Sequence, residues 1–141
     1  MTDRRKEIDL LVEHFWKKGY LTLSRKFGTY LPEPSDIGGF QVDIIARQKN
    51  NYAIGITLNS DDLNDNTLLN RIIYLATRQT RNTSKKVSLF VGVNKTDYSI
   101  VKSYLNRIDE DIRKNIRLFI IEEKPVSAPS PSNKKEQILF S

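Results

Sequence analysis

The chain has 141 residues, 38% hydrophobic and 28% charged, which suits one soluble domain large enough to bury a core. It carries no cysteine and one histidine, His14, so disulfides, thiolate metal sites and histidine-rich metal centres are excluded, and a reducing, cytoplasmic setting is expected. The formal net charge of +6, with a pI near 9.5, favours polyanionic partners, although a solubilising surplus of lysine accounts for it equally well.

No apolar run approaches the roughly 20 residues that span a bilayer, and the opening MTDRRKEIDLL lacks the apolar region of a secretory signal. Ile8, Leu11, Val12, Phe15 and Trp16 recur at helical spacing and predict a first helix whose stripe takes Trp16 into the core. Gly19 ends that helix as its C′ residue, and His14 reads as a surface histidine beside the stripe. YLTLSRKF (20–27) predicts a strand. GTYLPEPSDIGG (28–39) is a loop, because Pro32 and Pro34 interrupt both helix and strand. Two strands near 40–47 and 51–58, joined by a QKNN turn, predict a hairpin.

NSDDLNDNT (59–67) is a polar loop that can cap a second helix, with Leu68, Leu69, Ile72, Ile73 and Ala76 as its stripe. KVSLFVGV (86–93) reads as a strand buried on both faces. Val101, Tyr104, Leu105, Ile108 and Ile112 predict one continuous third helix, capped by Thr96 or Asp97, and IRLFII (116–121) a last strand. The Pro/Ser/Lys-rich segment 123–141 predicts a disordered tail whose apolar end, QILFS, offers a contact for a protein partner. Over residues 1–122 the order α-β-β-β-α-β-α-β predicts an α/β domain, a mixed central sheet flanked by helices.

One acid, Asp43, lies inside the first hairpin strand, in GGFQVDIIA (38–46), opposite YAIGITL (52–58). With the element order, this resembles the PD-(D/E)xK nuclease superfamily of restriction-endonuclease-like folds, and archaeal Holliday-junction resolvases in particular. The resemblance implies that Asp43 is a metal-binding aspartate sharing Mg²⁺ with a glutamate on the neighbouring strand. The metal then polarises the scissile phosphate, and a lysine two residues after the glutamate activates water from the same strand face. It also implies a homodimer, and an acid on the first helix that Glu7 or Glu13 matches.

The hairpin alignment places Gly55 where the family has its glutamate and Thr57 where it has its lysine. Neither residue supplies the required chemistry, and no E-x-K or D-x-K occurs between Asn50 and Thr67. Tyr52, Ile54, Ile56 and Leu58 form the core face of that strand, and Ala53, Gly55 and Thr57 a stripped catalytic face. Asp43 is then the remnant of a metal site, or an ordinary acid at a strand end. An active alternative draws on Asp43, Glu13, Asp36 and Lys26, with Glu33, Asp61, Asp62 and Asp65 as further oxygen donors.

Basic residues offer phosphate contacts. Arg71, Arg78, Arg81, Lys85 and Lys86 lie on or after the second helix, while Arg25 and Lys26, with Tyr30, line a groove beside the old active face. For each of them a solvated surface is the plainer account. Arg4, Arg5 and Lys6 oppose the dipole at the start of the first helix, which hints at a use. FVGVNKTD (90–97) is similar to the guanine-reading N-K-x-D of GTPases, but no phosphate-cradling loop accompanies it, so it reads as a capped turn. The expected function is a catalytically inactive, cofactor-free module that binds DNA, with RNA as the second candidate, or serves assembly. A divergent metal-dependent endonuclease and a pure protein-interaction domain are the alternatives.

Overall fold

The computed structural model describes residues 4–80 and 85–121. Arg81 and the tail 123–141, with QILFS, lie outside them.

Helix α1 (Arg4–Lys17) is followed by strands β1 (Leu21–Arg25), β2 (Ile44–Gln48) and β3 (Asn51–Leu58). Then come the short α2 (Ser60–Leu63), α3 (Leu68–Ala76), β4 (Ser88–Val93), α4 (Tyr98–Leu105), α5 (Glu110–Arg113) and β5 (Ile116–Ile120). The five strands form one sheet in sequence order. β1–β2 and β2–β3 are antiparallel, while β3–β4 and β4–β5 are parallel. This is the α/β mixed sheet that the sequence predicts. No helix among the described residues is long and apolar enough to cross a membrane.

Gly19, at φ 87°, closes α1 as expected: Tyr20 N–H donates to Phe15 O and Gly19 N–H to Trp16 O, both at 2.9 Å, the paired bonds of a Schellman cap. The β2–β3 hairpin turns at Lys49–Asn50, with Gln48 facing Asn51 and Lys49 in the left-handed region at φ 56°.

Two cores sandwich the sheet. On one face Ile54, Ile56, Leu58, Leu89, Val91 and Val93 pack under α3 and α4. On the other, Ile44, Ala46, Ala53 and Phe90 pack under Ile8, Leu11 and Phe15 of α1. The second core covers the Ala53–Gly55–Thr57 face: Ala53 and Thr57 are fully buried, and a Cβ on Gly55 would meet Phe15 at 2.7 Å, Leu11 at 3.1 Å and Ile44 at 3.2 Å. It also corrects one expectation, because Trp16 does not join the core; it is 71% exposed. The buried stripe of α1 runs through Glu7, Ile8, Leu11 and Phe15, and Trp16 follows Phe15 by about 100° of helical turn, which carries it past the rim.

Two further helices break expected segments. Within 59–67 Asn59 and Asp62 form a reciprocal capping box that nucleates α2. The single helix expected through Ile112 divides into α4 and α5, because Asp109 takes an extended backbone (φ −52°, ψ 142°) as N-cap of the second piece.

Candidate functional site

Asp43 lies just before β2 and is pinned by backbone on both sides: its N–H donates to Gly55 O at 3.0 Å, and its carbonyl accepts from Lys26 N–H at 2.9 Å. The side chain is 1% exposed, so a charge there requires partners. Oδ2 accepts from the Thr57 N–H at 2.7 Å and from its hydroxyl at 2.9 Å. The Arg4 guanidinium stands 3.8 Å from Oδ2, and the Lys26 ammonium 3.9 Å from Oδ1. At such separations each cation attracts a carboxylate by about 4 kcal/mol at the effective dielectric of a protein surface, before the cost of desolvation is subtracted. The buried acid is thus held by a threonine and flanked by two cations.

Arg4 reaches this point because it extends the sheet-facing stripe of α1 by one turn, at 4, 8, 11 and 15. It also donates to Asp62 Oδ2 at 3.1 Å. Asp62 is itself fixed by the capping box, accepting from Asn59 N–H at 2.9 Å. Arg71 completes the chain, with its guanidinium 3.6 Å from Asp62 Oδ1 and donating to Gln41 O at 3.1 Å, while Lys26 donates to Gln41 Oε1 at 2.9 Å. Together these groups border a cleft of about 410 Å³, with Asp65 and Thr67 on its rim. Thr67 donates its backbone N–H and its hydroxyl to Asp65 at 2.9 and 2.7 Å; these two bonds, the backbone one first, hold the Asp65 carboxyl below the usual carboxylate range.

The structure therefore gathers Asp43, Lys26, Arg71, Asp62 and Asp65 from the expected site residues. It does not bring in Glu13, which is exposed on α1 and paired with Lys17 at 3.1 Å, nor Asp36 and Glu33, which are exposed in the long loop. Glu7 is the α1 acid that is buried. Arg25 sits one step away, in an ion pair with Asp9. Arg78 lies beyond α3, folded onto Tyr74 with its guanidinium 3.7 Å from the ring centroid and its Nε donating to Tyr74 O at 2.8 Å. Lys85 and Lys86 are exposed at the far side of that segment. The basic cluster of the second helix is thus divided: Arg71 belongs to the cleft and Arg78 packs on a ring.

The pairing of Thr57 with Asp43 is not among the sequence expectations, where Thr57 occupies the position of the catalytic lysine in the resembling family; the hairpin register is the signal that places the two residues side by side. His14 also departs from expectation. It stacks on Phe119 of β5 at 3.6 Å between centroids and 11° between planes. Burial, followed by the charges of Lys18 and Lys17, holds its pKa below the ordinary value.

The described residues do not fit Mg²⁺. One oxygen of Asp43 is taken up by Thr57 and the other faces an ammonium group, and no group of three or more His, Cys, Asp or Glu side chains gathers as ligands among the described residues. Protein-family models, curated proteins and solved structures yield no match to this chain.

Proposed function

We propose that this chain is a non-catalytic, nucleic-acid-binding module, built like a PD-(D/E)xK nuclease, in which the metal site has become a cation clamp. The observation that carries this reading is the arrangement at Asp43. The buried acid lines the cleft with Arg4 and Lys26 beside it, and Arg71 lines the same cleft beside Asp62. Asp43, Asp62 and Asp65 match the three cations in number, but Asp43 is buried while the cations are partly exposed, so the cations are fixed where a phosphate can reach them. Such groups contact phosphate without reading base sequence.

Net charge supports the same reading. Four lysines and arginines and four acids lie outside the described residues, so the excess of six positive charges falls within the described ones. DNA is the first candidate and RNA the second. A homodimer, with paired subunits engaging paired strands, belongs to the same proposal, and sedimentation of the free and bound protein measures it.

The test is a binding titration on duplex, branched and single-stranded DNA and on RNA, with and without Mn²⁺, over a range of salt. Binding without metal that weakens steeply with salt is the expected result. Lys26→Gln should weaken binding to all sequences alike and lower the log–log salt slope by about one. Metal-dependent cleavage that disappears in Asp43→Ala would restore an active nuclease. Failure to bind at low salt would redirect the search to a protein partner.

A further inference from the structure

Beside the Asp43 cleft lies a second one of about 430 Å³, lined by Arg5, Asp9, Arg25, Phe27 and Tyr30. Phe27 borders both clefts. Phe27 is 45% exposed and Tyr30 96% exposed, with Leu31 also exposed next to them. Three large apolar side chains left open in five residues form a patch, unlike a lone surface aromatic. Phe27 also adopts φ 60°, a left-handed backbone that a bulky side chain rarely takes. The strain does not serve core packing, since the ring remains half in water.

The loop carrying these rings is anchored at both ends. Arg25 N–H donates to Pro32 O at 3.0 Å, and Lys26 N–H to Asp43 O at 2.9 Å. The rings are therefore presented from a fixed frame. Around them the charge is positive: the Arg5 guanidinium lies 5.5 Å from the Phe27 centroid, and Arg25 is held by Asp9.

We infer that this second cleft stacks unpaired bases of a single-stranded nucleic acid whose phosphates run past Arg4, Lys26 and Arg71. The inference rests on the nucleic-acid reading above and narrows its substrate class. Any base has a π-face that can stack on an aromatic ring, whereas both faces of a base inside a duplex are covered by its neighbours. Exposed rings joined to a phosphate-contacting cleft therefore select strands with free bases, of either sugar.

Fluorescence anisotropy of the full chain with labelled oligothymidylate, oligouridylate, an abasic strand of equal length and the matching duplex tests this. Oligothymidylate or oligouridylate should bind at least about tenfold more tightly than the abasic strand, and more tightly than the duplex. Phe27→Gly, which suits the left-handed backbone, and Tyr30→Ala, at a site almost wholly in water, should each close that gap by about fivefold or more. Equal affinity for base-bearing and abasic strands, preference for duplex, or an unchanged gap in both variants overturns the stacking inference and leaves phosphate binding intact. Failure of every strand to bind, the abasic one included, overturns both readings.

Discussion

Thr57 donates both its backbone N–H and its hydroxyl to a single oxygen of Asp43, at 2.7 and 2.9 Å. The bond joins the residue where the sheet begins its second strand to the residue near the end of its third. Removing the hydroxyl while keeping the shape isolates its contribution. Thr57→Val should lower stability by about 2 kcal/mol, the range for hydrogen bonds to charged groups, and Thr57→Ser should recover most of that. Urea denaturation followed by circular dichroism measures both; a Val variant as stable as the parent would show the hydroxyl to be idle.

Gly55 has no room for a side chain beneath α1, with Phe15 2.7 Å from the site of a Cβ. Gly55→Ala should therefore cost about 1–3 kcal/mol through overpacking. Phe15→Leu should relieve part of it, so the two substitutions should couple in a double-mutant cycle. Strictly additive effects would mean that the strand yields in place of the ring. A glutamate there should be more costly still, so placing an E-x-K at 55 and 57 should lose the fold before it creates a metal site.

Phe15 and Trp16 are neighbours with opposite fates: the first is fully buried and the second mostly in water. Phe15→Ala should cost about 3–5 kcal/mol, and Trp16→Ala should stay within about 0.5 kcal/mol. The indole emission of the native protein should be red-shifted and open to quenching by acrylamide. A blue-shifted, protected indole would contradict the packing of α1.

His14 is the only histidine, so stability changes between about pH 5 and 7 report largely on it. Its pKa is lowered by burial and by Lys18 and Lys17. Between the folded value and the ordinary 6.5 the unfolded chain binds more protons, so stability should rise with pH across that window and level off above it. As pH falls below 6.5 the same contribution is lost. His14→Gln should flatten this slope in denaturation curves taken at successive pH values; a slope that persists would assign it to another group.

Much of the fold was legible because its signals are local. The 3.6-residue spacing of Ile8, Leu11 and Phe15 marks a helix, Gly19 marks its end, and the polar turn between 48 and 51 marks a hairpin. The β3 strand fell at its expected bounds, 51–58. The division of the third helix at Asp109 was not legible, since an apolar stripe continues across it through Ile108 and Ile112. Periodicity alone does not register a change of axis.

For the site, sequence marked Asp43 as unusual and Gly55 and Thr57 as departures from a catalytic pattern, because residue chemistry and strand period are read directly from the chain. Tertiary structure decided what surrounds them. Whether the Gly55 face is open or covered depends on where α1 docks, and Arg4, Lys26, Asp43 and Arg71 come from α1, the loops after β1 and before β2, and α3. Such convergence is a property of packing between distant segments, and no spacing along the chain encodes a distance across it.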